Sequence, residues 1–108
     1  MPGDFYCNEV LTGSVVINKV IETKNVLAYH HTNPRWPIHI VIIPKFHIDS
    51  FLQLIYEHRD VLPEIVDVLA AVVDKIQREH GGGRLTTNFG KFQTTKHLHW
   101  HVYAGEDM

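Results

Sequence analysis

The chain has 108 residues, 44% of them hydrophobic and 20% charged, with a formal net charge of −2. That length holds one compact domain and excludes two; the near-neutral charge supplies no basic field and excludes nucleic acid as a main partner. The single cysteine, Cys7, excludes an intrachain disulfide and a Cys-x-x-Cys metal pair.

No apolar run reaches the length needed to span a bilayer. Met1-Pro2-Gly3-Asp4 lacks the basic and apolar regions of a secretory signal. The expectation is a soluble cytoplasmic protein with no membrane partner, which a lone cysteine suits. One count is unusual: nine histidines.

In chain order, Asp4 to Gly13 is mixed and reads as a short helix or turn. Val15 to Glu22 is rich in Val and Ile and reads as a strand. Lys24-Asn25 marks a turn, and Val26 to His31 is a second strand, making a hairpin. Asn33-Pro34 and Trp36-Pro37 fix Thr32 to Pro37 as an extended loop. Trp36 there reads as a stacking surface for a base or as a loop anchor. Ile38 to Ile43 is apolar at both parities apart from His39, as in a central strand covered on both faces. A short helix is expected between Ile48 and Glu57.

Asp60 to His80 is the long helix. Leu62, Ile65, Val66, Leu69, Val72, Val73 and Ile76 form its apolar stripe. Asp60 is the expected N-cap, Pro63 fits the first turn, and Gly81-Gly82-Gly83 ends the helix. Arg84 to Asn88 is the next strand, Phe89 to Lys96 a loop and His97 to Tyr103 the last strand. The order predicts a single α+β domain over residues 4–108, an antiparallel sheet of about five strands with one long and one short helix on one side.

The run His97-Leu98-His99-Trp100-His101 carries the chemistry. In an extended strand alternate side chains share a face, so the three imidazoles point one way and Leu98, Trp100 and Val102 point into the core. Their spacing is about 6.7 Å between neighbours and about 13 Å between the outer pair. All three therefore cannot reach one zinc ion at about 2.1 Å unless the strand bends sharply. Two of them with His39 or His47 could, which leaves a metal-binding protein as one reading. A phosphate is the other. A neutral imidazole is a good nucleophile near pH 7, and a central histidine flanked by two more gives one nucleophile with donors around a phosphoryl group. A merely solvated histidine face is the third. His47 reads as a structural hydrogen-bonding histidine, and His58 and His80 sit in polar contexts without a role.

The run His97-Leu98-His99-Trp100-His101-Val102-Tyr103 resembles the signature of the histidine triad family. A second block, His39-Ile40-Val41-Ile42-Ile43-Pro44-Lys45-Phe46-His47-Ile48, is similar to that family's upstream strand. Asn88, Gln93 and Thr94 match its substrate-contacting Asn, Gln and Ser/Thr. The resemblance runs from about Asp4 to Tyr103 and is nearest the nucleoside phosphoramidase branch.

What the resemblance implies is a nucleotidyl hydrolase or transferase, forming a covalent nucleotidyl-histidine on His99 that water then cleaves. Its substrates would be phosphoramidates, dinucleotides or similar nucleotide conjugates. His101 and His39 would contact the phosphate, and His97 would orient the site. Gln93 and Thr94 would line the leaving-group side, and Asn88 would position phosphate or ribose. It also implies a homodimer, no cofactor and no required metal. Within the family, a catalytically silent nucleotide-binding module is the alternative.

Several departures follow. His31 stands where close relatives carry a ribose-gripping Asp, and an imidazole accepts one hydrogen bond where a carboxylate accepts two. The loop from Asn88 to Gln93 is short. Five residues follow Tyr103, and a long tail that would shape a partner's site is expected to be absent. The amino-terminal Cys/His zinc site of some members is expected to be missing.

Overall fold

The computed structural model describes residues 4–105. A π-helical turn, Tyr6–Val10, precedes the hairpin β1 (Asn18–Glu22) and β2 (Val26–His30) and the long strand β3 (Ile38–Pro44). Then come α1 (Phe51–Glu57), α2 (Leu62–His80), β4 (Arg84–Thr86) and β5 (Trp100–Ala104). The five strands form one sheet in the order β1-β2-β3-β5-β4, every pair antiparallel. Among the described residues no helix is long and apolar enough to cross a membrane.

β3 is central, and its two parities serve two cores. Ile40 and Ile42 face α2, packing with Val26, Ala28, Leu98, Trp100 and Val102 against Ile65, Val68, Val72 and Ile76. Val41 and Ile43 face the other way and join Leu27 and Tyr29 under Tyr6 and Val10 of the amino-terminal turn. A strand covered on both faces needs apolar residues at both parities, which is the pattern of Ile38 to Ile43. The amino-terminal turn covers only part of that second face. At its open end, cross-strand partners His39 and Tyr103, and Val41 and His101, share the same side of the sheet.

Two expectations for α2 need correction. Asp60 is not the N-cap of α2: a 3₁₀ turn, Arg59–Val61, leads in, and Val61 occupies the cap without a side-chain hydrogen bond. Pro63 does lie in the first turn, and Gly81 ends the helix at φ 84°, its amide donating to Gln77. In the stripe, Val66 is half-exposed and Val68 is buried instead. Val68 lies three residues after Ile65 and four before Val72, on their face, whereas Val66 is one step round.

The last two strands are shorter than expected, and the histidine run explains why. The His97 carbonyl accepts from the His99 ring at 2.8 Å, and the His99 carbonyl accepts from the Thr87 hydroxyl at 2.7 Å. Side chains occupy acceptors that a ladder would have used, so pairing starts at Trp100 and β4 stops at Thr86. The alternation survives in burial: Leu98, Trp100 and Val102 are in the helix-side core.

Candidate active site

The open end of the second sheet face holds a cavity of about 670 Å³, lined by His31, His39, Asn88, Thr94, His99 and His101 together with aromatic residues and Arg35. That volume suits a small-molecule ligand.

His99 is 6% exposed. Its Nδ1–H donates to the His97 carbonyl at 2.8 Å, which leaves the lone pair on Nε2. Burial lowers its pKa, outweighing the hydrogen bond to the His97 carbonyl, and keeps the ring neutral near pH 7. The Tyr6 ring covers it, with centroids 5.0 Å apart.

The His101 ring stands nearly perpendicular to that of His99 at 5.0 Å. A relay of hydrogen bonds assigns its tautomer. The Arg35 amide donates to His39 Nδ1 at 3.2 Å, so the hydrogen of His39 is on Nε2. That Nε2–H donates to His101 Nδ1 at 2.8 Å, so the hydrogen of His101 is on its own Nε2. Burial, then neighbouring imidazoles, push His101 down to about 3. Burial, then His31 and Arg35, push His39 down to about 4. Both are neutral at pH 7. The site thus sets a neutral imidazole with a free lone pair beside a neutral imidazole with a fixed N–H donor.

Six residues singled out in the sequence meet at this cavity: His31, His39, Asn88, Thr94, His99 and His101. His97 and Gln93 do not. His97 is fully buried, its Nε2–H donating to the Pro44 carbonyl at 2.9 Å; it touches the site through its own carbonyl on His99. The Gln93 side chain is buried and donates to the Asp49 carbonyl at 2.6 Å. Trp36 lines the cavity and stacks on Tyr103 at 3.8 Å. Sequence reasoning missed Tyr6, Thr95 and Arg35. Tyr6 comes from a turn distant in the chain and carries no periodic signal, and Arg35 looks like an ordinary loop cation.

A second cluster lies behind the first. Asp4, Cys7, His47 and His97 bring one donor atom each to within 4.8 Å of one another. Asp4 Oδ2 lies 2.6 Å from His47 Nδ1 and 2.9 Å from His97 Nδ1. Cys7 Sγ lies 3.3 Å from His97 Nδ1. The outer nitrogens are fixed by acceptors, His97 Nε2 by Pro44 and His47 Nε2 by the Asp49 carboxylate. Burial would raise the Asp4 carboxyl, but hydrogen bonds from Cys7, His97 and His47 outweigh it and hold the group at about 2. Burial works against charge on His47 too, yet Asp49 and Asp4 raise it above its ordinary value. Each imidazole faces an acceptor at both nitrogens, so the centre requires positive charge, as ring protons or as a cation.

An antiparallel five-stranded sheet with a long helix on one face and alternating histidines opening on the other defines an α+β domain with a histidine-lined cavity. The HIT domain family model matches residues 14–108, and the chain belongs to that family. An uncharacterized 13.2 kDa HIT-like protein of Azospirillum brasilense is 36% identical over 108 residues, covering 92% of this chain and 84% of its own. An uncharacterized HIT-like protein of Helicobacter pylori is 28% identical over 100 residues, covering 91% and 93%. Among solved structures, a histidine triad protein from Clostridium difficile superposes with a TM-score of 0.80 at 30% identity, covering 100% of this chain and 95% of that one. A HIT family hydrolase from Clostridium thermocellum gives 0.82 at 29% identity, with the same coverage.

Proposed function

We propose that this protein is a nucleotidyl hydrolase or transferase that acts at the α-phosphate of a nucleotide conjugate through His99. The observation that carries the reading is the His99 Nδ1–H bond to the His97 carbonyl, which leaves Nε2 as the free nucleophilic atom of a neutral, cavity-lining ring.

In the reaction, the Nε2 lone pair forms a bond to the α-phosphorus as the bond from phosphorus to the leaving group breaks. The leaving group takes the electron pair of that bond and a proton from solvent at the cavity mouth. The His101 Nε2–H, aligned through His39, donates to a non-bridging phosphoryl oxygen as charge gathers there. Water then attacks the same phosphorus, its proton passes to solvent, and the P–N bond to His99 breaks to release the nucleoside monophosphate. His97 acts as a positioning residue, pinned at its ring and holding His99 through its carbonyl. Asn88 and Thr94 line the cavity beside the phosphate. Gln93, turned onto Asp49, keeps the adjacent loop in place. A homodimer in the cytoplasm remains the expected form of the enzyme.

The donors of the second cluster fit the zinc ion that some family members carry, contrary to the expectation that an amino-terminal Cys/His site is missing. A thiol, two imidazole Nδ1 atoms and a carboxylate oxygen are a zinc-type set, and outer nitrogens pinned by acceptors are what orient metal-ligating histidines. Asp4, Cys7, His47 and His97 would hold it, and it would supply structural anchoring behind His99.

Incubation with adenosine 5′-phosphoramidate is expected to release AMP, and His99→Asn to abolish the release. Normal turnover by that variant would overturn the nucleophile assignment. AMP binding without turnover on a phosphoramidate, a dinucleoside polyphosphate or a nucleotide sugar would leave a silent nucleotide-binding module.

A further inference from the structure

The end of the cavity next to His31 has a chemistry of its own. Among the described residues, none that lines the cavity is aspartate or glutamate. At this end the polar groups are His31, Thr32, Asn33 and Arg35. The Asn33 amide donates to His31 Nδ1 at 3.0 Å, so the neutral ring carries its hydrogen on Nε2 and is a donor there. The ring is held by stacking on His39, with centroids 4.3 Å apart and planes 19° from parallel. Arg35 is exposed, with its guanidinium 5.7 Å from the centre of the Trp36 ring. Thr32 and Asn33 are neutral and exposed.

A ribose diol presents two hydroxyl hydrogens and is best gripped by a carboxylate, which accepts both. This end offers an N–H and a full positive charge instead. What complements it is a charged acceptor, and guanidinium with imidazole N–H is a pairing suited to phosphate. The His31 and His101 rings are 5.9 Å apart and line the same cavity, within reach of different groups of one nucleotide.

We infer that the His31–Arg35 end of the cavity is a second anion subsite, selecting nucleotides that carry a further phosphate on the ribose 2′ or 3′ hydroxyl over nucleotides with a free diol. The inference rests on the proposed function, in which the 5′-phosphate lies at His99 and His101. His31 and Arg35 are specificity-determining residues, distinct from the group that attacks phosphorus.

The test is calorimetric titration at fixed ionic strength with AMP, 2′-deoxy-AMP, adenosine 3′,5′-bisphosphate and adenosine 2′,5′-bisphosphate. One of the two bisphosphates is expected to bind the wild-type protein about tenfold or more tightly than AMP, the scale of one charge-assisted hydrogen bond. AMP and 2′-deoxy-AMP are expected to bind alike. His31→Ala and Arg35→Gln should each bring the bisphosphate-to-AMP affinity ratio down toward one. His31→Asp should invert it and make AMP bind more tightly than its deoxy form. Equal or tighter binding of AMP by the wild-type protein overturns the inference, as does a bisphosphate preference that survives both His31→Ala and Arg35→Gln. If AMP binds without preference, only the subsite falls. If no nucleotide binds, the proposed function falls and takes the subsite with it.

Discussion

The donor state of His101 depends on His39, and that dependence can be broken on its own. His39 is 4% exposed, receives the Arg35 amide at Nδ1 and gives its Nε2–H to His101 Nδ1 at 2.8 Å. In His39→Leu the His101 Nδ1 loses its donor inside a half-buried site. The His101 hydrogen is then free to move to Nδ1, which would turn a lone pair toward the phosphoryl oxygen. Leaving a buried acceptor without its partner costs about 1–3 kcal/mol. If that cost falls on the transition state, kcat/KM drops roughly 5- to 150-fold, at about 1.4 kcal/mol per factor of ten. A glutamine amide reaches about as far as imidazole Nε2 and carries an N–H there, so His39→Gln should restore most of the loss. The assay is kcat/KM on adenosine 5′-phosphoramidate at pH 7, with the melting temperature of each variant and the ¹⁵N shifts of the His101 ring. Wild type and His39→Gln should show a protonated Nε2, and His39→Leu a mixed state. The reasoning is refuted if folded His39→Leu retains activity within about twofold of wild type, or if the glutamine and leucine variants lose activity equally.

Three further outcomes follow from the same structure. Folded-state values of about 4 for His39 and about 3 for His101 lie below the ordinary 6.5, so the unfolded chain binds more protons below pH 6.5 and stability falls on acidification. The slope is up to about 1.4 kcal/mol per pH unit for each group, and His47, raised rather than lowered, offsets part of it. Discounted for the partial exposure of His101, a net loss of about 2 kcal/mol is expected between pH 6.5 and 5, read from urea midpoints; a flat profile there would contradict the burial argument. Gly83→Ala places a Cβ 2.6 Å from the Tyr103 carbonyl oxygen and 3.1 Å from Ile76 Cγ2, where α2 turns back onto β5. Overpacking against backbone should cost about 1–3 kcal/mol and lower the melting temperature by several degrees, whereas an unchanged value would mean that this junction yields. Zinc at about a hundredfold over its dissociation constant should add about 2.7 kcal/mol to the untagged protein, an increment that His47→Ala removes. No rise in melting temperature with zinc would show that ring protons alone hold the cluster.

Much of the fold is written locally. The β1–β2 hairpin, the two-sided apolar run of β3 and the stripe of α2 each follow from a periodicity of 2 or 3.6 and from the turn residues at their ends. What local pattern misses is set by contacts distant in the chain. The carbonyls of His97 and His99 are taken by a ring and a hydroxyl, which shortens two strands that their composition alone would extend. Val61 caps α2 in place of Asp60 because the 3₁₀ turn has already bent the chain into helical geometry. The Asp4 cluster is hidden for the same reason, since its four donors come from the amino-terminal turn, the end of β3 and the triad.

The candidate site was legible as residue types and illegible as states. Alternation correctly put His97, His99 and His101 off the helix-side core, yet nothing in their spacing says which nitrogen carries the hydrogen. The partner of each outer nitrogen decides that, and the three residues have three different partners. An acceptor on Nδ1 of His99 exposes a lone pair at Nε2. A donor on Nδ1 of His101, supplied by His39, exposes an N–H at Nε2. Acceptors at both nitrogens of His97 make it an anchor that needs positive charge beside it. The same logic separates the two histidine clusters. His31 and His39 receive backbone amides at Nδ1; His31 presents its Nε2–H to the cavity, and His39 passes its own to His101, whose Nε2–H then faces the cavity, so this cluster favours an anion. His47 and His97 give up Nε2 to oxygen and present Nδ1 to a thiol and a carboxylate, so they favour a cation. Anion and cation chemistry are therefore kept apart by the backbone amides that meet one set of rings and the carboxylates and carbonyl that meet the other.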